Sequence, residues 1–527
     1  MAKGQLALVL NAHLPFVRHP EHPRFLEERW LFEALSETYL PLLRLFRRLE
    51  ADAVPFRLTM TVSPTLASML GDKLLGERYA AYLETQLRLA SAEEERLGSD
   101  PVFGPVVRLY SALYREDRED FETLYGRDVL GGLDFFYKKG RIDLITTGAT
   151  HAFLPLYADS PEAVSAQIEA AMVAHRRAFG KHPAGFWLPQ LGWHPMLADA
   201  LRAYNVQYTV VTTRGALLGS PTPHRGSFAP VQCPSGLTVF VRDAAATKAV
   251  WSESEGYPAD PVYRDFYRDI GFDLPLEYLA PYLEEDRARI FTGLKYWAIT
   301  GSTADKQPYD PAAALVRVRE HAANFLAERS AAAERAAPHM DRAPLMVCPY
   351  DAELFGHGWF EGIHWLESLF RQAEEFPLGI VSLSEYLRAY PESQVSMPEF
   401  SSWGDGGYAE VWLDGSNDWT YRHTFKAVER MTELAERFPD ESGLRERILN
   451  QAGREVVLSM CSDWSLLMRA GKASSFARRQ VEDSISNFGK LYDMLCSNTV
   501  GTEWLTRLEK RNNIFPDLNY RIFRKKR

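Results

Sequence analysis

"SPEAVSAQIEAAMVAHRRAFGKHPAGFWLPQ", from Ser160 to Gln190, decides the fold. Ser160 is placed to cap a helix and Pro161 fits its first turn. Arg176 and Arg177 suit the last turn, and Gly180 ends it. The run "AGFWLPQ" that follows directly reads as a strand ending at a pocket mouth, and it predicts a turn at Gln190. A bounded helix feeding a buried strand is half of a strand–helix–strand unit, and the same order recurs on either side. "LALVLNAH" (6–13), "FRLTMTVSP" (56–64), "RIDLITTGAT" (141–150), "VQYTVVTT" (206–213) and "LMVCPYDA" (345–352) read as strands, and "LGIVSLSEYL" (378–387) closes the alternation. Residues 27–50 read as a long helix, 195–205 as another, and a further helix is expected from near His357. Such alternation predicts α/β architecture with parallel strands and right-handed crossovers, whose C-terminal edges collect ligands. The pattern leaves open whether the sheet is open or closed.

Two stretches interrupt the alternation. Residues 66–138 are mostly helical and too long for one crossover, so they read as an inserted layer. From about 416 the pattern is helical to the end, after the Gly- and Trp-rich connector "SSWGDGGYAEVWLDGSNDWTYRH". The division expected is 1–400 for the α/β part, with a second, looped insertion around 214–235, and 401–527 for a C-terminal helical domain.

With 527 residues the chain can bury one large core and carry appended modules. Net charge is -10 and basic residues are scattered apart from "FRKKR" at the end, which argues against a nucleic-acid groove. No apolar span reaches 18 residues, so no membrane helix is expected. "MAKGQLALVLNAHLP" reads as a first strand and not as a signal peptide. Cys233, Cys348, Cys461 and Cys496 form no C-x-x-C pair and suit a reducing, cytoplasmic setting. The 12 Trp and 24 Tyr cluster in part near glycines, as sugar-binding surfaces require.

Polar residues at strand ends are the candidates for chemistry. Asn11 and His13 alternate on the first strand and so point to one side. Thr150 and His151 end the third, Gln190 the fourth, and Asp351 and Glu353 the strand "LMVCPYDAE", with His357 and Trp359 just beyond. His13, His151, Asp351 and His357 are metal ligands in kind, but no H-x-x-x-H pair is present and Asn11 is a poor zinc ligand, so metal catalysis is not expected. No G-x-G-x-x-G follows the first strand, which excludes a dinucleotide fingerprint there. Glycoside chemistry needs two carboxyl groups flanking an anomeric carbon. Asp351 suits the proton donor, since burial would raise its pKa. The strand end that should supply the second carboxylate carries Gln190.

At these residues the chain resembles glycoside hydrolase family 57, and within it the α-glucan branching enzymes and 4-α-glucanotransferase-like proteins. "AHLPFV", "FLEERWLFEALSETYLPLL", "THAFLPLY", "GFWLP", "VWSESEGYPADPVYRDFYRDIGFD", "PYDAELFGHGWFEG" and "SSWGDGGYAEVWLDGSNDW" carry the resemblance over almost the whole chain. It implies an incomplete (β/α)7 barrel with helical insertions, a C-terminal α-helical domain, and a retaining mechanism without metal or cofactor. Asp351 matches the family's acid/base, and Gln190 stands where the family's nucleophile is Glu. Neighbouring positions depart as well. Asn11 replaces the first His of H-A-H, "VTTR" puts Thr212 and Arg214 where relatives read D-S-H, and Arg225 falls near the loop tyrosine of branching. Trp297-Ala298 stands for His-Arg.

A neutral amide matches a carboxylate in shape but supplies neither the charge that steadies an oxocarbenium-like transition state nor a good ester leaving group. The expectation is therefore an α-1,4-glucan binder of glycogen or amylose metabolism with transferase activity lost or strongly reduced, acting as a partner or regulator of active enzymes. Sugar contacts are expected from Asn11, His13, His151, His357 and Asp463, and from the faces of Trp30, Trp251, Trp359, Trp403 and Trp412. Two alternatives stand beside it: an active branching enzyme or glucanotransferase that recruits Glu353 or Glu253, and a metal-dependent sugar deacetylase-type barrel.

Overall fold

A computed structural model describes residues 3–252, 254–283, 289–301, 303–404, 406–499 and 501–525. Glu253 lies outside the described residues. Seven strands make the frame: β1 (Gly4–Ala12), β2 (Leu58–Val62), β3 (Ile142–Thr147), β4 (Phe186–Trp187), β5 (Tyr208–Val211), β6 (Thr238–Val241) and β7 (Leu345–Asp351). β1 lies between β2 and β7, β2 pairs β3, β3 pairs β4, and β5 pairs β6, all in parallel. Single parallel bridges, Gly185 to Tyr208 and Arg242 to Val347, join β4 to β5 and β6 to β7. The ring therefore closes with two thin seams, which is an incomplete (β/α)7 barrel. Leu6 to Asn11 are buried one after another, as expected of a parallel strand covered on both faces.

The crossovers follow from the sequence pattern. Between β1 and β2 the helix Arg29–Ala34 runs through a π-turn, Leu35–Tyr39, into Leu40–Ala51. The segment between β2 and β3 is helical in Pro64–Leu70, Lys73–Leu97, Gly104–Arg118 and Val129–Lys138. Pro161–Phe179 joins β3 to β4, and Gly180 closes it at φ 68° with its N–H on the Arg176 carbonyl, a left-handed turn that glycine adopts without strain. Pro311–Ala336 leads into β7. The C-terminal helices Asp418–Arg437, Gly443–Ser459, Ser462–Ala470, Ser474–Ser497 and Thr502–Arg511 follow. Ile448, Leu449, Val456 and Phe523 share one apolar core with the barrel helices. No helix among the described residues is long and apolar enough to cross a membrane.

Three local readings change. Ser160 occupies the N-cap but its side chain makes no cap hydrogen bond. "AGFWLPQ" contributes only Phe186–Trp187 and the Gly185 bridge to the sheet, because Pro189 has no N–H for a ladder and Gln190 turns at φ 59°, ψ 24°. The helix expected near His357 begins at Gly362, after a short turn at Ala352–Leu354.

Candidate functional site

The C-terminal ends of the strands gather the expected polar residues. Asn11 stands opposite Asp351 in the β1–β7 register, and its Nδ2 donates to Asp351 Oδ1 at 3.1 Å. Burial raises the Asp351 carboxyl above the usual aspartate range, against the pull of the Asn11 hydrogen bond and His13. Two residues on, Glu353 Oε1 accepts from the His13 backbone N–H at 3.1 Å and from the Tyr39 hydroxyl. Burial pushes the Glu353 carboxyl up to about 7, with the Tyr39 hydrogen bond opposing. This wall holds two carboxyl groups that resist ionisation.

His13 carries the site into the helical domain. Its Nε2 lies 2.9 Å from Asp463 Oδ2, and its ring stacks on His151 with centroids 3.7 Å apart and planes 15° from parallel. Burial alone would lower the His13 pKa, but Asp463 outweighs it and the value is raised. Asp463 is held far below the usual aspartate range, since His13 and the Cys461 thiol overcome the cost of burial. His151 is driven well below its ordinary value by burial and by His13, so it stays a neutral imidazole. The helix Ser462–Ala470 is tied to the barrel by Ser462 Oγ, which donates to the His151 carbonyl at 2.6 Å.

Donor atoms of His13, His151 and Asp463 all lie within 4.8 Å of one another, as the ligands of an ion would. The stacking argues for a different role. Imidazole lone pairs lie in the ring plane, and two nearly parallel planes 3.7 Å apart do not direct both nitrogens at one point. Both His151 nitrogens, Asn11 Oδ1, and the hydroxyls of Thr61, Thr146 and Thr147 are buried without a hydrogen-bond partner in the protein. These donors and acceptors sit at the ends of β1, β2 and β3 or just beyond, sealed from the surface.

Gln190 stands across the ring. Between β4 and β7 lie two strands on one side and three on the other, which is as far apart as seven strands allow. Both ends open at the same C-terminal edge. Gln190 and Leu191 take positive φ, 59° and 50°, and the connector fixes this turn. The Trp403 N–H donates to the Gln190 carbonyl at 2.7 Å, and Trp193 pairs with Ser401. Trp403 is half-buried, edge-on to Trp251 at 5.9 Å, with the Arg242 guanidinium 5.1 Å from its ring centre. Thr212 caps the helix Thr213–Leu217 by accepting from Gly215 N–H, and Arg214 Nη1 donates to the Gly406 carbonyl.

Two of the tryptophans expected as sugar platforms are core residues instead. Trp359 is 2% exposed, packed by Tyr263, Phe355 and Trp365. Trp412 is also 2% exposed, its face covered by Phe153 at 5.1 Å and 11°. Trp30 is half-buried and meets Phe476 edge-on at 5.7 Å. His357 is half-buried, with Nδ1 2.6 Å from Glu37 Oε2. Glu37 also faces Arg264 and Lys295; burial opposes ionisation, but His357 first, then Arg264 and Lys295, hold its carboxyl at about 2, and Glu37 in turn raises His357.

Glu37, Tyr39, Arg242, Arg264 and Lys295 were not marked by the sequence. Glu37 and Tyr39 lie within the π-turn Leu35–Tyr39, and such turns recur at functional sites. The available signal was an acidic residue, between Ser36 and Thr38, inside a largely apolar helical run, "LSETYLPLL".

Known proteins give the same frame. The family model described as glycosyl hydrolase family 57 matches residues 7–398, and that of the 1,4-alpha-glucan branching enzyme C-terminal region matches 423–523. A 1,4-alpha-glucan branching enzyme of Thermococcus kodakarensis is 31% identical over 97% of this chain and 77% of its own. The crystal structure of the α-amylase AmyC from Thermotoga maritima is 38% identical with a TM-score of 0.94, each chain covered in full. A family 57 branching enzyme from Pyrococcus horikoshii superposes at a TM-score of 0.89 with 27% identity, over 100% of this chain and 97% of that one. These matches set aside the deacetylase-type alternative. Barrel, connector and helical C-terminus together thus place the chain in glycoside hydrolase family 57, among its branching-enzyme-like members.

Proposed function

We propose that this protein binds α-1,4-glucan in the mouth of the barrel and turns it over slowly or not at all. The observation that carries the reading is an asymmetry. Asp351 keeps a half-buried, hydrogen-bonded carboxyl suited to proton donation, while the turn on the opposite wall presents Gln190 where the family's attacking carboxylate belongs. A retaining mechanism needs that second group ionised to form the glycosyl-enzyme ester. Each decade of rate lost is 1.36 kcal/mol of barrier, and replacing a nucleophilic carboxylate by an amide removes several. Binding needs no such charge. The half-buried polar groups of His13, Asp351 and Glu353 at the strand ends suit sugar hydroxyls, and Trp403 beside Gln190 suits a pyranose face.

A second reading, an active transferase that recruits Glu353, meets an electrostatic objection. A carboxyl raised to about 7 is substantially protonated at neutral pH, which favours an acid over a nucleophile. The test joins two measurements on the purified protein. Amylose cast in a native gel is expected to retard it, while iodine-stained amylose in solution keeps its absorbance. Rapid loss of absorbance would refute the reading, and so would unretarded migration.

A further inference from the structure

Beyond the barrel mouth the chain displays aromatic rings that the site described above does not use. Tyr267 is 71% exposed, Phe272 50% and Phe291 40%. Phe272 meets Phe291 at 5.2 Å, and Phe266 meets Tyr267 at 5.2 Å. Lys295 joins the two pairs, its ammonium 4.1 Å from the Phe266 ring centre and 5.5 Å from that of Phe291. Exposed rings held together like this are uncommon on a monomer unless they meet a ligand.

The backbone beneath is firmly held. Asp269 Oδ1 accepts from the N–H groups of Gly271 and Thr292 and from the Thr292 hydroxyl, and its Oδ2 accepts from Gly293 N–H, all at 2.7–2.9 Å. Asp265 accepts from Tyr267 N–H at 2.7 Å and pairs with Lys306 at 3.0 Å. Buried carboxylates thus fix a loop whose rings face water, so a ligand would meet them with little ordering cost.

A chain of side-chain contacts links the ledge to the wall of the mouth. Phe266 lies edge-on to His357 at 5.4 Å, and His357 pairs with Glu37, two residues from the Tyr39 that bonds Glu353. On the far side Lys472, from the helical domain, lies 5.9 Å from the Tyr267 ring centre.

We infer that Phe266, Tyr267, Phe272 and Phe291 form an outer subsite that holds the extension of an α-glucan chain whose end lies in the barrel mouth. This rests on the glucan-binding reading. The occupant follows from this link to the wall of the mouth and from the rings themselves, whose flat apolar faces match those of successive glucose units. A short chain fills the mouth alone, and a long one also covers the ledge.

The test compares Tyr267→Ala/Phe272→Ala with wild type, using maltotriose by calorimetry and long-chain amylose by affinity electrophoresis. Exposure of both rings predicts an unchanged thermal midpoint by circular dichroism. The double variant is expected to bind amylose about tenfold more weakly, or about 1.4 kcal/mol, with maltotriose affinity unchanged. Wild-type amylose affinity in the variant would overturn the ledge alone, as would an equal loss for both sugars. Failure of the wild type to bind either sugar would overturn the glucan reading and the ledge together.

Discussion

The two walls of the barrel mouth share a fold but not a charge state. At the end of β7, Asp351 and Glu353 are half-buried carboxyls supported by Asn11, Tyr39 and the His13 backbone. Beyond β4 the backbone is held as firmly, by Trp403 N–H on the Gln190 carbonyl and by the Trp193–Ser401 pair, yet the side chain presented is neutral. The contrast teaches that the turn at Gln190 depends on main-chain bonding and Pro189, not on a carboxylate. The backbone shape of this wall is then held without a charged side chain.

The comparison sharpens under substitution. The largest stability effect belongs to the connector that pins the Gln190 wall. Trp412→Ala removes a ring sealed by Phe153 and is expected to cost about 3–5 kcal/mol, read as a lower midpoint in urea. Trp403→Ala, at a half-buried ring in the same connector, should leave that midpoint within about 1 kcal/mol while weakening maltotriose binding about tenfold by calorimetry. Equal effects at the two positions would erase the distinction between core ring and sugar platform.

The opposite wall is tested by pH. A carboxyl whose pKa rises from 4.5 in the unfolded chain to about 7 in the fold binds its proton more tightly when folded. The stability it contributes is complete below pH 4.5 and is lost as pH rises through about 7. Asp351, also raised, acts in the same direction. Glu353→Gln should therefore flatten the fall in urea stability between pH 4.5 and 7 by an amount on the order of 1–3 kcal/mol. An unchanged slope would show that Glu353 is ionised in the fold, and would revive it as a recruited nucleophile.

What could be read from residues alone follows physical range. The crossover helix Pro161–Phe179 and most strands were legible because caps, a closing glycine and apolar runs act within a few residues. β4 was overread, since a proline two residues past a two-residue strand changes the ladder more than the apolar pattern suggests. Asp351, His13 and Gln190 were legible as strand ends, but the meeting of His13 with Asp463 spans 450 positions, and no local periodicity records it. The π-turn that carries Glu37 and Tyr39 was hidden inside a continuous helical pattern. Trp412 misled because its segment is polar; the ring that buries it, Phe153, arrives from the end of another strand.

The central claim is that the neutral amide at Gln190, more than the neighbouring departures at Asn11, Thr212 and Arg214, separates binding from turnover. Gln190→Glu and the wild type, assayed side by side on iodine-stained amylose with product chains sized afterwards, test it most directly. The account predicts that both bind amylose and that the variant alone consumes it, at least about a thousandfold faster, or about 4 kcal/mol of barrier. Equal rates in the two proteins, whether fast or absent, would contradict it.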